Sequence, residues 1–367
     1  MKNKLHLFLA AIILLIAACG KKEQSTDSNL TLSPESGTSY KAGDTVLVKL
    51  TYPADSKPDS VVYLLDSVKV ASTTDSSTVK IETATMPLGM KVITAKFYQG
   101  DKNQDVSTNF VLMAAKAPEQ YTYVVEKVFP HDTSAYTEGL LYQDGYLYES
   151  TGNSTGHKGE SDLRKVDLNT GKVVQRVKLP DPNYFGEGSA IVGDKIVMFT
   201  YKEKIGFVFD KNTFKLLKTF NNNVGVEGWG VTYDGNKIYL DDSTNRIWFL
   251  DKNNYNQTGF IDVYDDKGRI DQVNELEYID GKLYSNIYTY DTILVIDPKT
   301  GAVLQTVNMS KLWPMTDRPR GYNNEENVLN GIAWDAKGKR LFVTGKKWPH
   351  LYQVRFTPLP PKGGASK

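Results

Sequence analysis

Between about Tyr121 and Phe356 the sequence repeats one unit five times. The copies open at Glu138-Gly139, Glu187-Gly188, Glu227-Gly228, Asn274-Glu275 and Asn330-Gly331. Each opening runs into a short apolar stretch, a turn carrying Asp, Gly or both, and a second apolar stretch. Asp144-Gly145 and Asp280-Gly281 suit the centre of a tight hairpin, because both central residues there take positive φ. Third and fourth stretches follow, separated by turns that start at Asp167, Asp210, Asp251 and Asp297. Four strands per unit, at a spacing of roughly 40 to 55 residues, predict the blades of a β-propeller. The last copy ends after a third strand over 351–356, so the strand over 123–129 is expected to complete it. That would close the ring and remove an open sheet edge. The predicted fold is all-β: a five-bladed β-propeller over 121–357, followed by a disordered tail over 358–367.

The segment before the repeat reads differently. Lys2 and Lys4 precede an apolar run that ends Ile16-Ala17-Ala18-Cys19. This predicts a lipoprotein signal peptide over 1–18 and lipidation of Cys19, followed by a tether over 19–29. The run is short of the ~20 apolar residues that span a bilayer. Cys19 is the only cysteine, which leaves no disulfide. No aspartate follows it closely, so the expected location is the cell envelope, at the outer membrane, held by the lipid alone. Residues 30–115 alternate with the period of half-buried strands, at 45–50, 60–64, 92–97 and 108–112. About seven short strands predict a small immunoglobulin-like β-sandwich with no catalytic constellation. Residues 116–120 read as the boundary.

In a propeller the first strand of each blade lines the central channel. The five openings therefore bring Glu138, Glu187, Glu227, Asn274 with Glu275, and Asn330 to one mouth. Recurring turn chemistry would explain the glycines. It explains three glutamates poorly, since like charges in one place are costly unless partnered. A net charge of +1 gives no reason to expect nucleic acid. His6, His131, His157 and His350 show no metal spacing, and no phosphate loop or nucleophile elbow is present.

Seven motifs together resemble the plant and bacterial type of glutaminyl-peptide cyclotransferase. They are His131-Asp132 with Tyr136-Thr137-Glu138-Gly139-Leu140; Glu149-Ser150-Thr151-Gly152; Phe185-Gly186-Glu187-Gly188; Glu227-Gly228-Trp229-Gly230; Asn274-Glu275-Leu276-Glu277-Tyr278; Leu329-Asn330-Gly331-Ile332-Ala333; and Thr344-Gly345-Lys346 with Trp348-Pro349. The resemblance implies a five-bladed propeller that closes N-terminal glutamine of peptides or proteins into pyroglutamate, releasing ammonia. It assigns proton transfer to Glu187, as base and then acid. Glu138 would orient the α-amine, Asn274 would hold the γ-amide or oxyanion, and Lys346 would stabilise negative charge. Tyr136, Phe185, Tyr201, Trp229 and Tyr288 would wall the pocket, with Glu227 and Asn330 at its rim. Positions 201 and 288 are tyrosine where relatives often carry tryptophan, which changes ring area and adds a hydroxyl. The nucleophile is already part of the substrate, and its ammonium needs only a modest push to ionise, so the reaction requires no metal cofactor. A structural calcium ion in the channel is compatible with this reading.

Blander readings stand beside it. Trp229 would be core and Lys346 a surface residue. Glu149 and Glu277 would bond backbone amides between blades. Glu227 falls between the rim and such bridging. Two other functions are open at this stage: a non-catalytic module binding peptides or glycans, and a calcium-dependent propeller lactonase.

Overall fold

The computed structural model describes residues 29–153 and 161–359. The expected signal peptide, Cys19 and nearly all of the tether lie outside the described residues, as does most of the tail. Among the described residues the chain is all-β, and its one helical turn is the 3₁₀ segment Met315–Asp317.

The repeat region forms antiparallel meanders. Thr137–Gln143, Tyr146–Thr151, Asp162–Asp167 and Val173–Lys178 make one four-stranded sheet. A second runs from Gly186–Val192 to Leu216–Asn221, and a third from Val231–Tyr233 to Gln257–Asp262. The remaining strands join in one eight-stranded sheet. Glu119–Pro130 lies at the seam of that sheet. It pairs in parallel with Val303–Asn308 and antiparallel with His350–Pro358. The completing strand is therefore longer at both ends than the sequence pattern indicates. Pro358 and Leu359, expected in the tail, continue this edge: Pro358 is in register with Tyr121, and the Leu359 N–H donates to the Gln120 carbonyl. The first strands of the meanders contact one another in a closed cycle, Thr137–Gln143 meeting both Gly186–Val192 and Leu329–Asp335. This gives a propeller-like arrangement around a central channel.

The turns follow from their residues. Asp144-Gly145 and Asp280-Gly281 both take positive φ, as a two-residue hairpin turn requires. Asp167 and Asp210 each accept two backbone N–H groups and a threonine hydroxyl of the turn they open. One carboxylate thus satisfies donors that the strand ladder leaves unpaired.

Residues 31–113 form two further sheets, of three and five strands. Alternate residues of both, among them Val46, Val48, Leu50, Tyr63, Ile93 and Phe110, enter one apolar core. There are eight strands here, against the seven expected. This core does not end at the boundary read from the sequence. Tyr264 and Ala302, from the repeat region, pack into it. The Leu88 N–H donates to the Thr300 carbonyl at 2.8 Å, and the Ala114 N–H to the Asp265 carbonyl at 3.0 Å.

Candidate active site

Backbone irregularity places the functional side chains. Register shifts interrupt four of the five first strands, between Thr137 and Gly139, Gly186 and Ser189, Val273 and Leu276, and Leu329 and Ile332. Glu138, Glu187, Asn274 and Asn330 sit at these interruptions. A bulge re-aims a side chain that the strand's alternation would otherwise send elsewhere. The fifth position corrects the alignment read from sequence. Gly230 pairs with Asp241 just beyond the Val231–Leu240 register, as Gly139 pairs with Ser150. The counterpart of Glu138 in the third sheet is therefore Trp229, not Glu227. The mouth carries two buried glutamates rather than three.

Those two glutamates share one cation. Lys346 Nζ lies 2.7 Å from each carboxylate oxygen of Glu138. All three side chains are nearly inaccessible, and a hydrogen bond links Glu138 to Glu187. One lysine cannot balance two buried carboxylates. Burial first, and then the neighbouring Glu138 charge, hold the Glu187 carboxyl well above the usual range. Burial also raises Glu138, but the Lys346 ammonium opposes it. The proton of the pair therefore resides on Glu187, and the Glu138 carboxylate pairs with Lys346.

Aromatic rings surround this group in a continuous circuit. Tyr201 packs on Phe185 at 5.6 Å between centroids, and Phe185 on Tyr136 at 6.3 Å. Lys346 Nζ stands 4.6 Å from the Tyr136 centroid and 5.6 Å from that of Tyr288. Tyr288 meets Trp229 at 5.5 Å. Trp229 Nε1 donates to Glu227 at 3.0 Å. Glu227 is completed by Lys202 at 3.3 Å, and Lys202 lies over the Tyr201 ring. All five predicted aromatic residues are thus brought together, with Glu227 on the rim. Gly152 makes room for the wall: a Cβ there would stand 2.3 Å from Phe185 Cζ and 3.0 Å from Glu138 Oε1.

Asn274 is buried at the same mouth, and its carbonyl accepts the Ser285 hydroxyl. Asn330 is fully buried, and its Nδ2 donates to the Thr137 carbonyl at 2.8 Å, joining the last first-strand to the first. Its Oδ1 is buried with no partner among the described residues. Sequence reasoning missed Lys202 and Asp241. Asp241 is fully buried and accepts the Gly230 N–H, and burial holds its carboxyl well above the usual range. Its signal was an aspartate ending the apolar run Ile238-Tyr239-Leu240.

Deeper carboxylates are structural. Glu275 accepts the N–H groups of Leu140 and Ile332. Glu277 accepts the Trp334 N–H and the Thr232 hydroxyl. Glu149 is different from what was expected: its partners are the side chains of His131 and Thr137, not backbone amides of another sheet. Among the described residues no group of three or more His, Cys, Asp or Glu is placed to hold a metal ion. A cavity of about 380 Å³ opens at the far end of the channel, lined by Tyr142, Tyr233, Glu277, Tyr278 and Trp334 among others. It is separate from the Glu138–Glu187–Lys346 group.

The glutamine cyclotransferase family profile matches residues 93–356, well over half of the chain. The chain belongs to the glutamine cyclotransferase family. The Arabidopsis thaliana protein called glutaminyl-peptide cyclotransferase is 38% identical over 239 residues, which cover 64% of this chain and 72% of that one. A crystal structure of Myxococcus xanthus glutaminyl cyclase superposes with a TM-score of 0.60 at 30% identity, covering 66% of this chain and 100% of that one. The family profile begins inside the strand Gly89–Gln99, upstream of the boundary read from the repeat.

Proposed function

We infer that this chain is a glutaminyl-peptide cyclotransferase: it closes the N-terminal glutamine of a peptide or protein into pyroglutamate and releases ammonia. Family membership supports the reaction. The observation that carries the chemistry is the buried Glu138–Glu187–Lys346 group inside an aromatic wall.

With Glu187 taken as protonated at the start, its acid step precedes its base step, the opposite of the order the family resemblance implies. The substrate's free α-amine attacks its own γ-carbon, and a ring C–N bond forms as the carbonyl π pair moves to oxygen. Glu187 gives its proton to the departing nitrogen. The oxyanion collapses, the old C–N bond breaks, and ammonia leaves. Glu187 then takes a proton from the ring nitrogen and returns to its starting state. Positioned acid–base transfer of this kind is worth ~10²–10⁴-fold. Glu138 accepts a hydrogen bond from the α-amine, Lys346 lies close enough to stabilise the oxyanion, and Asn274 holds the γ-amide. The rings of Tyr136, Phe185, Tyr201, Trp229 and Tyr288 exclude water and enclose the aliphatic part of glutamine. No step is routed through a metal.

The same reading takes the region from Glu119 to Pro358 as five blades, with the eight-stranded sheet counted as two blades joined along Glu119–Pro130. The closed cycle of first strands supports it. Residues 31–113 are read as an immunoglobulin-like sandwich, supported by two sheets over one core. Lipidation of Cys19 at the outer membrane rests on Ile16-Ala17-Ala18-Cys19 and the residues after it. Mass spectrometry of a glutamine-headed peptide tests the function: the purified chain should remove one ammonia from it and leave an asparagine-headed control intact. An unchanged glutamine peptide would refute the assignment.

A further inference from the structure

Behind the site lies a buried pair that the reaction does not use. His131 Nε2 is 3.1 Å from Glu149 Oε1, and both side chains are nearly inaccessible, at 3% and 2% exposure. His131 Nδ1 is 2.7 Å from the Trp348 carbonyl. That carbonyl can only accept, so Nδ1 carries a hydrogen. An ionised Glu149 can also only accept, so Nε2 carries one too, and the ring is an imidazolium.

The groups around the pair fit this state. The Glu149 carboxylate and the Trp348 carbonyl raise His131 against the effect of burial. The imidazolium and Arg164, with a hydrogen bond from Thr137, lower Glu149 against the same effect. Asp132 faces His131 as well and is bonded to Arg164 at 3.1 Å. Arg164 Nε lies 2.6 Å from Asp162 Oδ1.

The position of the pair matters more than its charge. On one side, Glu149 Oε1 accepts the Thr137 hydroxyl at 2.6 Å, and Thr137 immediately precedes Glu138. On the other, His131 holds Trp348, two residues after Lys346. The Lys347 N–H donates to the Ala135 carbonyl at 2.7 Å, and the His131 N–H to the Pro349 carbonyl at 3.0 Å. The segments carrying Glu138 and Lys346 are 208 residues apart, and they meet through His131 and Glu149.

We propose that His131 and Glu149 are positioning residues that clamp the Lys346 turn to the Glu138 strand and so hold the Lys346–Glu138 pair in its catalytic geometry. This rests on the cyclotransferase reading of that site. Small misplacement of a reacting group can cost about 10²-fold, which sets the scale.

His131→Leu removes both donors. Its kcat for a glutamine-headed peptide is expected to fall about 10- to 100-fold with KM within about threefold. The slowly exchanging Lys346 ammonium signal expected in NMR of the wild type should vanish. Glu149→Gln is the conservative variant. With its amide oxygen in place of Oε1, it can still accept from both the Thr137 hydroxyl and the His131 Nε2–H, which share that one oxygen in the wild type. It should lose only a few-fold in kcat. An unchanged kcat in His131→Leu, a persistent Lys346 signal there, or an equal loss in Glu149→Gln would overturn the proposal. If His131→Leu does not fold, the wild-type ring decides: at about pH 6.5, where an ordinary histidine is half protonated, nitrogen NMR should show both ring nitrogens protonated in the greater part of the population. A neutral ring overturns the clamp as described. A wild type that cyclises no peptide would refute the function, and the Lys346 signal in the two variants would still judge the clamp.

Discussion

Glu277 offers a quantitative test of how the channel treats buried carboxyls. It is 7% exposed and accepts hydrogen bonds from the Trp334 N–H and the Thr232 hydroxyl. Burial, only partly offset by these donors, pushes its carboxyl up to about 8. The unfolded chain ionises the same group near its ordinary value of 4.5. The folded state therefore binds the proton more tightly than the unfolded state. The stability this group contributes is complete below the unfolded value and is lost as pH rises through the folded one. Across that window the loss is about 5 kcal/mol, at about 1.4 kcal/mol for each pH unit. Glu277→Gln imitates the protonated form and does not titrate. Urea denaturation of both proteins between about pH 4.5 and about pH 8 should show their stability difference moving by about 5 kcal/mol in favour of the variant. A constant offset from the new amide cancels in that comparison. A difference that stays flat within about 1 kcal/mol would refute the claim that Glu277 is held neutral. Cyclisation should change less than about twofold, because the residue lies at the far end of the channel.

Further outcomes follow from the site. Lys346→Met leaves Glu138 buried without its cation. It should cost about 3–5 kcal/mol in denaturation at mildly alkaline pH, less in acid where Glu138 takes up a proton, and lower kcat by about 10²–10³-fold. Gly152→Ala drives a methyl into Phe185. The displaced wall should raise KM at least about tenfold, at a stability cost of about 1–3 kcal/mol. Because Glu187 starts protonated and the substrate reacts as its free amine, kcat/KM should climb toward the amine's pKa near 8. A profile falling from pH 6 to 8 would contradict the proposed order of transfers.

Much of this was legible in the sequence for a physical reason. A repeated unit writes its strand and turn chemistry five times, so Asp-Gly turns and third-strand aspartates confirm one another. The site residues could be found because glutamate and asparagine stand out at the head of an apolar strand. Glu227 misled the alignment because two glycines, Gly228 and Gly230, stand one residue apart in that stretch, and a glutamate precedes the wrong one. Spacing to the following turn, from Gly230 rather than Gly228, carries the true register. Lys346 was visible only by resemblance, since nothing local marks a lysine as buried until its partner 208 residues away is in place. The packing of Tyr264 and Ala302 into the N-terminal core was invisible for a related reason. Both residues look like ordinary strand residues in the repeat, and their exposed edge is covered by a segment distant in sequence.

Cyclisation by this chain turns on Glu187 moving the protons. Ammonia release from a glutamine-headed peptide, followed side by side for the wild type and Glu187→Gln, tests it most directly. The amide keeps the shape of the protonated carboxyl but can neither give nor regain the proton. Steady release by the wild type is expected, with a loss of at least about 10²-fold in a variant that remains folded. Release by folded Glu187→Gln at a rate near that of the wild type would contradict it.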